Sequence, residues 1–143
     1  MSVYFDTAYV AKCYVNEADS RRVRAVLRGA GGGHSSALCR PELAAVLLRH
    51  VREGALTPGQ AGRLHTDFLA DVDRGVWTLL SLSEAFLERV AARVLALGPG
   101  PFVRAADAIH LWTASEAGFG EIWSSDRHLL AAAPAFGMRG RTA

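Results

Sequence analysis

The stretch Val3-Tyr4-Phe5-Asp6-Thr7 reads as a first β-strand, apolar and β-favouring, that stops on a carboxylate. In an open parallel sheet, ligands gather just outside the carboxyl ends of the strands. A carboxylate placed there faces the site and is not buried among apolar side chains. Ile122-Trp123-Ser124-Ser125-Asp126 repeats the pattern late in the chain: a short apolar strand that runs into a hydroxyl and a carboxylate. Two strand ends carrying acids raise the question of which other acids come to meet them. Glu42 and Asp107 are the candidates.

Between these stretches, short strands alternate with helical patterns. His34 to Ala37 and Val76 to Leu82 read as strands, and Phe136 to Arg139 as a last edge strand. Helical spacing follows Asp6 as far as Val15, and again through Val23, Val26 and Leu27 behind a cap at Asp19 or Ser20. A third helix runs from Pro41 towards Gly54, and Thr57-Pro58 opens a fourth that ends at Gly75. Pro41 is tolerable only in a first turn, which puts Glu42 near a helix N-terminus. Ser83 caps a fifth helix, closed by Gly98-Pro99-Gly100-Pro101; Phe102 to Ala117 makes the next, and Arg127 to Ala133 a short last one. The alternation predicts an α/β chain: a three-layer α/β/α sandwich around a parallel sheet, in one domain spanning residues 1–143.

Composition narrows the function. Half of the 143 residues are hydrophobic and 21% are charged, an ordinary globular balance. A net charge of +2 argues against a polyelectrolyte binder of nucleic acid. Lys12 is the only lysine, so the other 15 of the 16 basic residues are arginine, the better bidentate phosphate partner. Compositional bias explains that count as well. Arg21, Arg22, Arg24 and Arg28 read as the solvated face of one helix, with an RNA or partner contact as the sharper alternative. Cys13 and Cys39 form no C-x-x-C pair and no zinc spacing, which fits free thiols in a reducing compartment. Gly29 to Gly33 is no P-loop, because no Gly-Lys-Ser/Thr follows. The apolar runs are too short to span a membrane, and Asp6 interrupts the start before an apolar leader builds up. The expectation is a soluble cytoplasmic protein.

Asp6, Glu42, Asp107 and Asp126 form the candidate site. Clustered carboxylates repel unless something neutralises them, and an all-oxygen set suits Mg²⁺ or Mn²⁺. Such a site fits phosphodiester hydrolysis. Spacing alone does not establish it, because 14 acidic residues offer many accidental sets. Glu42 taken alone reads more readily as a surface acid favoured by the helix dipole. Arg104, Asp107 and His110 recur three apart on one helical face. Trp77, Trp112 and Trp123 read as core residues.

These motifs together resemble the PIN-domain nucleases. Tyr4-Phe5-Asp6-Thr7-Ala8 resembles their first motif, and Pro41-Glu42-Leu43 their second. Arg104-Ala-Ala-Asp107-Ala-Ile-His110 is similar to the third, and Ser124-Ser125-Asp126-Arg127-x-Leu129 to the fourth. The small single-domain members that this chain resembles are the VapC-type toxins of bacterial toxin–antitoxin pairs. The resemblance implies an endoribonuclease that needs Mg²⁺ or Mn²⁺, a homodimer held inactive by a cognate antitoxin. It implies that the four acids hold metal, directly or through water. Thr7 and Ser124 then position those acids or cap the following helices, and Arg104 pairs with an acid or contacts the scissile phosphate. His110 is expected as a packed, satisfied histidine, not a general base. Ala8 stands where a small hydroxyl is common, Ser124 where threonine is commoner, and Trp112 where a smaller residue is usual.

Three rivals are weighed against this. A catalytically silent copy of the same fold would act by protein or RNA binding, but it would be free to lose one of the acids. A phosphorylated receiver needs a lysine near its last strands, and Lys12 is the only one. A haloacid-dehalogenase-type phosphatase wants Asp-x-Asp, and Asp6-Thr7-Ala8 lacks the second acid.

Overall fold

Five short parallel strands place everything else. The structure is a computed structural model that describes residues 1–143. Strands β1 (Val3–Tyr4), β2 (Gly33–Ser36) and β3 (Trp77–Leu80) pair in that order, all parallel. Strands β4 (Glu121–Trp123) and β5 (Arg139–Arg141) also pair in parallel. A parallel bridge between Phe5 and Trp123 joins the two pieces, and the Asp6 N–H donates to the Trp123 carbonyl at 3.1 Å. The spatial order is therefore β3-β2-β1-β4-β5. The chain runs outward on one side of β1, then returns to build the other side. That reversal opens a crevice at the carboxyl ends of β1 and β4.

Strand alternation divides the core into two layers. Tyr4, Leu80 and Ile122 face one side. There they pack with Phe86 and Val90 of α5 (Glu84–Ala96), with Ala108, Leu111 and Ala114 of α6 (Ala105–Glu116), and with Leu129 of α7 (Arg127–Ala132). Phe5, Trp77 and Trp123 face the other. Their partners are Val10 of α1 (Thr7–Tyr14), Val23 of α2 (Ser20–Gly29), Leu43 and Leu47 of α3 (Cys39–Arg52) and Phe68 of α4 (Pro58–Asp73). The expected α/β/α sandwich is thus the observed one. Gly33 is required by packing, since a Cβ there would stand 2.4 Å from the Trp77 ring.

Local signals in the sequence account for most element starts. Thr57 and Gln60 close a reciprocal capping box on α4, with Pro58 in its first turn. Ser83 accepts from the Phe86 N–H and caps α5. No helix is long and apolar enough to cross a membrane.

Four expectations shift. The sixth helix starts at Ala105, not Phe102, because Arg104 adopts extended backbone as its N-cap. The last strand is Arg139–Arg141, because Ala133–Phe136 is taken up by a turn of 3₁₀ helix that Gly137 ends in a left-handed conformation. Strand β3 is confined to the four residues that pair with β2. Asp19 is the N-cap of α2 but makes no side-chain cap, since Lys12 Nζ takes both of its carboxylate oxygens at 2.7 and 2.8 Å.

Candidate active site

Asp6 and Asp126 sit at the ends of adjacent strands, and each starts a helix. Asp6 Oδ1 accepts the Tyr9 N–H at 3.0 Å and caps α1. Asp126 Oδ1 accepts the His128 N–H at 2.8 Å and caps α7. Capping by these acids leaves their second oxygens for other work. Ser124 ties them together: its hydroxyl donates to Asp6 Oδ2 and accepts the Asp126 N–H at 2.9 Å. Asp126 Oδ2 is held by Arg104 Nη2.

Glu42 lies in the first turn of α3, where the helix dipole favours a carboxylate. It points at the same crevice. Its Oε1 accepts from the Thr7 hydroxyl at 2.7 Å and from His110 Nε2 at 2.7 Å. Asp107 is buried in the first turn of α6 and accepts from Arg104 Nε at 2.9 Å. One cleft of about 640 Å³ is lined by all four acids together with Thr7, Arg104 and His110. The fold therefore brings together every acid singled out in the sequence, from four separate elements.

The electrostatics of the four differ. Burial pushes the Asp6 carboxyl up from 3.8 to about 6, against the opposing pull of His110 and Ser124. Burial also raises Glu42, but the hydrogen bonds from His110 and Thr7 outweigh it and hold the carboxyl below its usual value. At Asp126, burial is outweighed by the His128 and Leu129 N–H groups and by Arg104, and the carboxyl is again held low. Asp107, through its hydrogen bond and charge, holds the Arg104 guanidinium above its ordinary value.

No three His, Cys, Asp or Glu side chains stand close enough to coordinate an ion as they are. Arg104 pairs with both Asp107 and Asp126, and His110 Nε2 meets Glu42. Asp6 has no arginine or lysine among its contacts, only a hydroxyl and a backbone N–H. The all-oxygen chemistry of the four carboxylates on this cleft, though not their present spacing, suits a hard divalent cation.

His110 is packed as the sequence suggests, 3% exposed, with Nδ1 3.0 Å from the Tyr4 hydroxyl. One neutral tautomer satisfies every partner: Tyr4 O–H donates to Nδ1, and Nε2–H donates to Glu42. Both nitrogens are engaged, so neither is free to take a proton from a substrate. What sequence reasoning missed is that His110 holds a site acid. It also missed Arg49 and Arg52, which line the cleft from α3. Their spacing from Glu42 carries the signal, since residues 42, 45, 49 and 52 fall on one helical face. Trp77 is core, Trp112 stacks on Arg93, and Trp123 on Arg141. The α2 arginines lie mostly in solvent, with Arg24 bound to the Lys12 carbonyl.

Fold and cleft together define the class. The PIN domain family model matches residues 3–134, and the chain belongs to that family. It is 33% identical over 142 residues to Ribonuclease VapC46 of Mycobacterium tuberculosis (strain ATCC 25618 / H37Rv), across 96% of this chain and 94% of that one. The crystal structure of FitAcB from Neisseria gonorrhoeae has a similar fold, with a TM-score of 0.63 at 16% identity over 98% of this chain and 96% of that one.

Proposed function

We propose that this chain is a metal-dependent endoribonuclease that hydrolyses RNA phosphodiester bonds. The observation that carries the reading is the convergence of Asp6, Glu42, Asp107 and Asp126 on one cleft at the sheet's reversal point. Likeness to a ribonuclease over nearly the whole chain supports it.

Asp6, Glu42, Asp107 and Asp126 would hold Mg²⁺ or Mn²⁺. Bound there, the ion supplies an activated water and neutralises charge on the phosphate. The chain's own groups do the rest. Ser124 orients Asp6, while Thr7 and His110 orient Glu42. Arg49 and Arg52 on the cleft wall attract the phosphates of the strand. Arg104 keeps Asp107 and Asp126 together before the ion arrives. Removing it frees both carboxylates, so Arg104→Ala tightens Mn²⁺ binding on the order of severalfold by calorimetry. Unchanged or weaker binding would show that Arg104 does not compete.

The biological reading is that of a cytoplasmic toxin, a single domain acting as a homodimer and inhibited by a cognate antitoxin protein. Its basis is the resemblance to VapC-type toxins and the two-layer core, which is built around one sheet. A silent binding module is the alternative, and the pairing of Arg104 with two of the acids is what favours it.

The deciding experiment is cleavage of a mixed RNA pool by the purified protein in Mn²⁺ or in EDTA. The expected result is cutting in Mn²⁺ only, with a melting temperature that rises with millimolar Mn²⁺ through linkage. A well-folded protein that neither cuts nor shifts with metal is a binding module.

A further inference from the structure

We infer that Phe102 and His128 form a stacking platform for an unpaired nucleobase beside the acid cluster. The inference rests on the reading of the cleft as an RNA site.

Phe102 is 62% exposed, whereas Phe5, Phe68, Phe86 and Phe136 are buried. The remaining phenylalanine, Phe119, packs on Tyr4 with ring centroids 5.7 Å apart. Phe102 is thus the one phenylalanine that the core does not use. Its ring is not loose, because His128 meets it in an edge-on pair with centroids 5.0 Å apart at 63°. Neither ring lines the cleft itself, but both stand in the chain within two residues of groups that do. Phe102 lies two positions before Arg104, the residue that bridges Asp107 and Asp126. His128 follows Asp126 by two, and its N–H is fixed to that carboxylate at 2.8 Å. The platform is therefore anchored to the same two segments that carry half of the acids.

The position suits one kind of ligand. Aromatic rings beside a phosphate-binding groove take bases by their π-faces, with little regard to sequence. A base is free to do this only when it is unpaired, as in a loop or a single strand. Arg127, exposed between Asp126 and His128, adds a cation for the adjoining phosphate. The other exposed large apolar side chains, Met1, Leu48, Leu69, Leu87 and Leu95, are not aromatic and offer a base no π-face.

The test is fluorescence anisotropy of random-sequence single-stranded RNA with the full chain in EDTA, where metal-dependent cleavage is off. Phe102→Ala is expected to weaken binding about tenfold. Phe102→Trp is expected to keep it, and double-stranded RNA of the same composition to bind less well than the single strand. Melting curves of both variants should match the wild type, since the Phe102 ring is mostly in solvent. Equal affinity of Phe102→Ala and wild type overturns the platform, as does a lack of measurable binding. So does a result in which Phe102→Ala changes only the sedimentation of the protein, which would make the patch a protein interface. Cleavage by the wild type in Mn²⁺ is scored separately, so loss of the platform and loss of the nuclease reading are distinguishable.

Discussion

Asp6→Asn raises the melting temperature of the metal-free protein near neutral pH and sharply reduces metal-dependent cleavage. The stability effect follows from burial. Asp6 is 5% exposed, and its carboxyl is pushed from 3.8 to about 6 in the folded chain. The folded state therefore holds this proton more tightly than the unfolded state does. Below about pH 4 both states are protonated, and the charge costs nothing. As pH rises from there through about 6, the unfolded chain releases its proton first and the native state loses ground. The shift of about two units corresponds to roughly 3 kcal/mol, all of it present above about pH 7. Asparagine carries no charge, keeps an oxygen for the Tyr9 N–H and can still meet Ser124. Melts in EDTA should thus show the variant several degrees above wild type at about pH 8, with the gap closing towards pH 4. In Mn²⁺ the order reverses, because only the wild type gains from the ion. Cleavage falls by about a thousandfold, the scale of losing one preorganised electrostatic group. A variant less stable than wild type at about pH 8 in EDTA would mean that the buried charge is compensated after all.

Much of this arrangement is legible along the chain. A strand that ends on an acid is a local signal, and β1–Asp6 and β4–Asp126 carry it in residues that are neighbours in sequence. The same holds for Thr57-Pro58 and Ser83, whose caps are built from residues three apart. Pairing of Arg104 with Asp107 is also readable, being an i, i+3 contact. The illegible parts depend on distance or on missing pattern. His110 meets Tyr4 across 106 residues and Glu42 across 68, and no periodicity reports such a contact. Arg139-Gly140-Arg141 has no apolar alternation. It becomes a strand because β4 offers an open edge and because Glu121 stands 3.5 Å from both arginines. Phe102 follows helical spacing into α6, yet the helix starts only at Ala105 and the ring stays largely in water. Apolar spacing alone does not tell a core phenylalanine from one held out for contact.

His110→Ala is expected to damage both the fold and the site. The imidazole fills a buried space between the sheet and α1, 3% exposed, and it satisfies partners on three elements. Its loss leaves a cavity beside Tyr4 and Leu111, which are both 0% exposed. It also takes the Nδ1 acceptor from the buried Tyr4 hydroxyl, which keeps Thr113 and Ser36 nearby. Cavity formation costs about 2–5 kcal/mol for a large side chain, and a lost hydrogen bond adds about 0.5–1.5. A total near 4 kcal/mol is a large share of the roughly 5–15 that hold a domain together. Glu42 suffers in a second way. Without the His110 hydrogen bond its carboxyl is no longer held low, and its orientation rests on Thr7 alone. Tyr4→Phe separates the two effects, because it removes only the hydroxyl and leaves the imidazole on Glu42. Urea denaturation should rank wild type above Tyr4→Phe by about 1–2 kcal/mol, and Tyr4→Phe well above His110→Ala. Because the Tyr4 hydroxyl lies outside the cleft lining and the variant leaves Nε2 on Glu42, Tyr4→Phe should leave the pH profile of cleavage in place. If that profile collapses with Tyr4→Phe while the fold holds, His110 takes part in proton transfer and is not only the brace behind Glu42.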